Sequence, residues 1–109
     1  MQPWEVWQWE FPHGSHPAVI VSPEARCANA DIQTVNVAGC SSQGARREPD
    51  VHEVLLNRED GLDWETLCRC DVLFLAKKSE LTRPRGTLTY ERQRQVGLKI
   101  IRLFGLWMG

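Results

Sequence analysis

The side chains best suited to proton transfer in this sequence are His16 and a hydroxyl pair, Ser41 and Ser42. His16 stands where a loop, Pro12–Ser15, meets a strand, just before Pro17. A histidine near the surface at such a junction can act as general acid or base close to neutral pH. An ordinary surface histidine would look the same in sequence. Ser41 and Ser42 fall at a strand end and are followed by Gln43 and Gly44. Hydroxyls and loop N–H groups there could hydrogen-bond a phosphate, and a polar turn using Ser and Gly for conformation fits equally well. His52 alternates with Val51 and Glu53 along a strand and reads as structural or exposed. Trp4, Trp7, Trp9 and Trp64 could stack on bases. A tryptophan stripe at period two is more often core, which is the reading for Trp7 and Trp9. The sequence holds no Gly-rich phosphate loop, no HExxH and no nucleophile elbow. Its four cysteines are Cys27, Cys40, Cys68 and Cys70, expected as free thiols in or near the core. Cys68 and Cys70 lack the two-residue gap of a zinc knuckle, so no metal site and no cofactor are expected.

Charge is unevenly distributed. The net charge of the 109 residues is −1, yet residues 1–68 carry −7 and residues 69–109 carry +6. The basic part includes Arg69, Lys77, Lys78, Arg83 and Arg85. Such asymmetry allows one basic surface for phosphates or an acidic partner on a nearly neutral protein. A solvated face with a basic helix is the plainer alternative.

These residues need elements to hold them. Glu5–Phe11 alternates, with Trp7, Trp9 and Phe11 on one side, as a half-buried strand does. Ala18–Ser22 is a continuous apolar, β-branched run that suits a strand buried on both faces, and Pro17 suits its first position. Ile32–Gly39 alternates again, Cys40–Asp50 reads as a loop, and Val51–Leu56 reads as a further strand. Asn57–Gly61 is expected as a turn, Leu62–Leu67 as a short helical turn and Cys68–Ala76 as one long central strand. Leu81–Thr87, carrying Pro84 and Gly86, is expected as a connection with at most a brief strand. The period then changes. Thr89 is a good N-cap, Val96, Ile100 and Leu103 follow at helical spacing, and Gly105 is a plausible stop. The fold class is therefore mainly β (α+β): five to six short antiparallel strands forming a small barrel, closed by a C-terminal helix. Propensity alone does not separate an SH3-like barrel from an OB-like one. The length fits a single domain, residues 1–109. The longest apolar runs, such as Val72–Ala76, are far short of the ~20 residues that cross a bilayer. The first ten residues carry no basic or long apolar stretch, so a cytoplasmic location is expected.

Read together, these segments resemble the PemK/MazF toxin family over nearly the whole chain. Trp4-Glu5-Val6-Trp7 looks like the family's opening strand. His16-Pro17-Ala18-Val19-Ile20-Val21-Ser22 resembles its second strand, commonly Arg-Pro-Ala-apolar-apolar-apolar-Ser. Cys40-Ser41-Ser42-Gln43 resembles the strand end with a Thr or Ser pair, and Arg85-Gly86-Thr87-Leu88 the Gly-Thr-apolar turn into the last helix.

The resemblance implies an SH3-like barrel, a homodimer, and metal-independent cleavage of single-stranded RNA, restrained by an antitoxin-like peptide or protein. The family's catalytic Arg and Thr or Ser fall here on His16 and Ser41. The expected chemistry is attack of a 2′-hydroxyl on its own phosphate, giving a 2′,3′-cyclic phosphate and a 5′-hydroxyl. His16 would serve as acid, base or cation and Ser41 would hydrogen-bond a non-bridging oxygen. Ser42, Gln43, Arg46, Arg47, Lys77 and Arg85 are the expected RNA-binding residues. Two features depart from the family. Histidine replaces arginine, which offers a permanent charge and a fork of donors, and the loop before it is short. The rival readings are a catalytically impaired module that binds RNA or a peptide, and a protein-targeting toxin like the DNA gyrase inhibitor that shares this barrel.

Overall fold

The computed structural model describes residues 1–41 and 47–106. Strand β1 (Glu5–Phe11) turns into β2 (Gly14–Ile20), and a short helix α1 (Glu24–Ala28) leads to β3 (Thr34–Gly39). Then come β4 (Glu53–Leu56), a single 3₁₀ turn (Arg58–Asp60), β5 (Thr66–Arg69) and β6 (Phe74–Lys77). A second 3₁₀ turn (Lys78–Glu80) precedes β7 (Leu81–Thr87) and the C-terminal helix α2 (Tyr90–Leu103). The strands form a five-stranded antiparallel sheet in the order β6-β3-β2-β1-β7 and a two-stranded ribbon, β4-β5. An antiparallel bridge between Cys40 and Cys68 ties ribbon to sheet. The expected mainly antiparallel architecture with a closing helix is present. The sheet is open at β6 and β7, so "barrel" describes it only loosely.

Both faces of the large sheet are covered, which explains the unbroken apolar run in β2. Ala18 and Ile20 pack with Trp9, Val35, Val37, Ala76 and Leu81 on one face. Val19 packs with Val6, Ala38, Leu56, Cys68 and Val96 on the other, beneath the ribbon and α2. Several segments differ from the sequence expectation. β2 begins at Gly14, so Pro12–Ser15 is not all loop and His16 stands within the strand rather than at its start. Val51 and His52 form a turn, and β4 begins only at Glu53. Cys68–Ala76 is not one strand: β5 ends at Arg69 paired to β4, and β6 begins at Phe74 paired to β3. A continuous apolar run carries no periodicity to mark such a break. Leu62–Leu67 holds no helical turn; the turn lies earlier, at Arg58–Asp60, capped by Asn57. Leu81–Thr87 is a full seven-residue strand. It tolerates Pro84 because it is an edge strand and its register against β1 is irregular on either side of Trp7 and Gln8.

Helix α2 starts as its sequence indicates, with the Thr89 hydroxyl accepting from the Arg92 N–H at 3.2 Å. The fully buried Asp60 fixes this end of the helix. Its carboxylate accepts from the Arg92 Nε at 3.1 Å, the Asn57 N–H at 3.0 Å and the Thr89 N–H at 3.4 Å. Gly61, at φ 91°, lies against Gly86 so closely that a Cβ on Gly86 would sit 2.6 Å from the Gly61 Cα. Gly86 therefore stands where β7 passes the 3₁₀ turn backbone to backbone. No helix among the described residues is long and apolar enough to cross a membrane.

Candidate active site

His16 lies within β2 and Ser41 lies two residues beyond the end of β3. Ala18 pairs with Gly39, and one step outward the Cys40 N–H donates to the Pro17 carbonyl at 2.9 Å. Continued one step further, this register would set His16 opposite Ser41. Ser41 is held on its other side by β5: its N–H donates to the Leu67 carbonyl at 2.9 Å, and its Oγ accepts from the Leu67 N–H at 3.1 Å.

His16 is half-buried among aromatic rings. It lies edge-on to Trp9 at 5.3 Å and to Phe11 at 5.2 Å, while Phe74 lies 5.4 Å from Trp9. Gly39 opens the space these rings fill: a Cβ there would meet the His16 Cε1 at 3.4 Å and the Phe74 ring at 3.5 Å. The His16 Nδ1 lies 3.0 Å from the Pro17 carbonyl. A carbonyl can only accept, so Nδ1 carries the hydrogen in this contact, and in the neutral ring Nε2 then holds the lone pair. The same carbonyl accepts from Cys40, so strand pairing and ring orientation share one acceptor.

The other expected residues are placed elsewhere or lie outside the described residues. Ser42, Gln43 and Arg46 are outside them. Arg47 is committed to Glu53, donating to both carboxylate oxygens at 2.6 and 2.8 Å, and this bond holds the Glu53 carboxyl below the usual carboxylate range. Lys77 pairs with Thr34 at the far end of β3 from Ser41, roughly 20 Å along the strand at ~3.3 Å per residue. Arg85 donates to the Gln8 Oε1 at 2.8 Å and to Asp63 at 3.0 Å, in a cleft shared with Ser15 and Pro17. Side chains alternate along β2, so Ser15 and Pro17 point to the face opposite His16. Of these cations, Arg47 and Arg85 are engaged with carboxylates, and Lys77 lies at the far end of β3 from Ser41.

One residue beside His16, and one cation elsewhere that lines a hollow with Arg47 and His52, were not anticipated as functional residues from sequence. Phe74, 43% exposed, packs against the Trp9 ring and shares the space over Gly39 with His16. Misreading Cys68–Ala76 as one strand hid it. Arg69 follows Cys68, the Cys40 bridge partner, and is paired with Asp71 at 2.7 Å. All four thiols are free and buried. Cys68 is held well above the ordinary thiol range by its hydrogen bond with the Cys40 thiol and by burial, and Cys70 is pushed up by Cys68 and by burial. Among the described residues, no group of three His, Cys, Asp or Glu side chains is arranged to hold a metal ion.

Residues 2–104 match the family described as PemK-like, MazF-like toxin of type II toxin–antitoxin system. The chain belongs to this family. No curated protein matches it in sequence. Among solved structures it is similar to an endoribonuclease in complex with its cognate antitoxin from a Mycobacterial species, with a TM-score of 0.82 and 20% identity, covering 100% of this chain and 99% of that one. It is also similar to the Mycobacterium tuberculosis toxin MazF-mt6, with a TM-score of 0.80 and 18% identity over 95% and 99% of the two chains. A MazE–MazF structure from Deinococcus radiodurans gives 0.76 and 19% identity over 96% and 95%. At these identities the likeness carries the PemK/MazF fold, and the chemistry has to be argued from this chain's own side chains.

Proposed function

We propose that this PemK/MazF-family chain is a metal-independent endoribonuclease toxin. In this reading it cuts single-stranded RNA in the cytoplasm, acts as a homodimer and is held in check by an antitoxin-like peptide or protein. The observation that supports the reading is the His16 ring, half-buried among Trp9 and Phe11 with Nδ1 engaged on the Pro17 carbonyl, in a β2–β3 register that, continued past Gly39, would set it opposite Ser41.

The 2′-oxygen of a nucleotide forms a bond to its own 3′-phosphorus, and the bond from phosphorus to the 5′-oxygen of the next nucleotide breaks. His16, neutral, takes the 2′-hydroxyl proton on Nε2; as an imidazolium it would instead supply the proton that the departing 5′-oxygen needs. Both roles use the ring nitrogen that Pro17 leaves available. The Ser41 hydroxyl donates to a non-bridging oxygen as charge builds there, and its two contacts with Leu67 hold it in position without rearrangement during the reaction. The products are a 2′,3′-cyclic phosphate and a 5′-hydroxyl end.

A second reading is a module that binds RNA or a peptide without cutting. It is favoured by the cations: Arg47 and Arg85 are already paired with carboxylates, and Lys77 lies at the other end of β3. Incubating RNA with the protein in EDTA and identifying the new ends separates the two. Cyclic phosphate and 5′-hydroxyl ends support the nuclease, and intact RNA that co-migrates with the protein supports the binder.

A further inference from the structure

A second cleft, of about 520 Å³, opens on the face of the β1–β2 hairpin opposite His16, between that hairpin, β7 and the loop leading into β5. A chain of hydrogen bonds crosses its floor. Gln8 donates to the Ser15 hydroxyl at 2.7 Å, Arg85 donates to Gln8 at 2.8 Å, and the same guanidinium donates to Asp63 at 3.0 Å. With its side chain only 11% exposed, Arg85 is spent on this framework. The remaining functional groups are different in kind. Trp64 lines the cleft, is 48% exposed, and also lines a second cleft on its other side with Asn57 and Arg58. Its indole therefore stands as a partition with no ring partner among the described residues. The side chains of Glu10 and Arg83 line the same cleft, are exposed, and make no hydrogen bond or ion pair among the described residues.

We propose that this cleft is a subsite for an amino-bearing nucleobase of single-stranded RNA, stacked on Trp64. It rests on the ribonuclease reading for the identity of the ligand and extends it to base selection. An exposed indole offers a π-face to any base, and stacking on such platforms is a main source of single-strand affinity. A carboxylate accepts from an exocyclic amine, as on cytosine, and uracil has no such amine. Glu10 can therefore favour an amino-bearing base while Arg83 engages the adjoining phosphate. Ser15 and His16 are neighbours on opposite faces of β2, so a strand cut at His16 reaches the cleft by passing around the hairpin tip.

The test uses fluorescein-labelled 2′-O-methyl oligomers of cytidine and of uridine, which cannot be cut because the attacking hydroxyl is blocked. Binding is read by anisotropy on the whole protein. Trp64→Ala should weaken the cytidine oligomer by roughly tenfold or more, the range of one lost base stack, and Trp64→Phe should retain most of the affinity. Glu10→Ala should erase the preference for cytidine over uridine. The ratio is the readout, because removing a negative charge strengthens RNA binding generally. Wild-type affinity for both oligomers in Trp64→Ala would overturn the subsite, as would a loss confined to binding of an antitoxin-like peptide. The failures are distinguishable. A protein that cuts RNA but binds these oligomers independently of Trp64 lacks the subsite and keeps the nuclease reading. One that binds through Trp64 but cuts nothing keeps the subsite and loses the nuclease.

Discussion

The proposed reaction rests on the His16 imidazole, where the family resemblance implies a guanidinium, and the two differ in that a neutral imidazole can accept a proton and a guanidinium cannot. His16→Ala should reduce RNA cleavage by ~10²–10⁴-fold, the usual effect of removing a general acid or base, as read from initial rates on a labelled oligonucleotide. Ser41→Ala should lower the rate by ~10²-fold or more, as the loss of one transition-state donor does. It also strips the Leu67 N–H of an acceptor, so an unfolding midpoint must accompany the rate. At this scale the sequence was silent about the cations. Motif order singled out His16 and Ser41, and their roles rest on the proposed reaction. That Arg47 is spent on Glu53, and Arg85 on Gln8 and Asp63, depends on partners distant or unmarked in sequence, which no local pattern records.

At the scale of elements, the joint between β7, the 3₁₀ turn and α2 carries the clearest stability predictions. Asp60→Ala would leave the partly buried Arg92 guanidinium and two backbone N–H groups without their acceptor. Removing one partner of such a pair costs about 3–5 kcal/mol, so the denaturant midpoint should fall sharply. Gly86→Ala should also destabilise, because the added Cβ would press on the backbone of Gly61 and Asp60, where neither atom is a flexible side-chain end. Glu53 governs part of the acid limb. Its carboxyl, lowered by Arg47, contributes stability that is fully present above the unfolded-state value of about 4.3 and is lost as pH falls through the lower folded value. Glu53→Gln should flatten that limb in unfolding curves taken between neutral and acidic pH. The helix was legible, since Thr89, Val96 and Gly105 are cap, core and stop as read. The break between β5 and β6 was not, because β5 pairs with the ribbon and β6 with the large sheet, a matter of tertiary pairing that the run Val72–Ala76 does not encode.

At the scale of the whole molecule, the proposed homodimer would draw on the exposed apolar residues. Phe74 and Leu75 stand on the edge strand β6, and Leu98, Ile101, Phe104 and Leu106 project from α2 and its end. Exposed apolar surface on this scale is a common mark of an interface. Sedimentation at micromolar concentration should give about twice the 12.5 kDa chain mass, and a monomer throughout that range would count against the homodimer. The fold class followed from strand periodicity and the terminal change of period. Closure did not, since nothing in a strand's own sequence states whether its edge finds a partner. The account turns on His16 acting on RNA without a metal. Its most direct test is the incubation of end-labelled single-stranded RNA with wild-type protein and His16→Ala in excess EDTA, followed by identification of the new ends. Wild-type protein should cut, leaving 2′,3′-cyclic phosphate and 5′-hydroxyl ends, and His16→Ala should be nearly inert while folding normally. Equal cutting by both proteins, or cutting that stops with EDTA and returns with Mg²⁺, would contradict it.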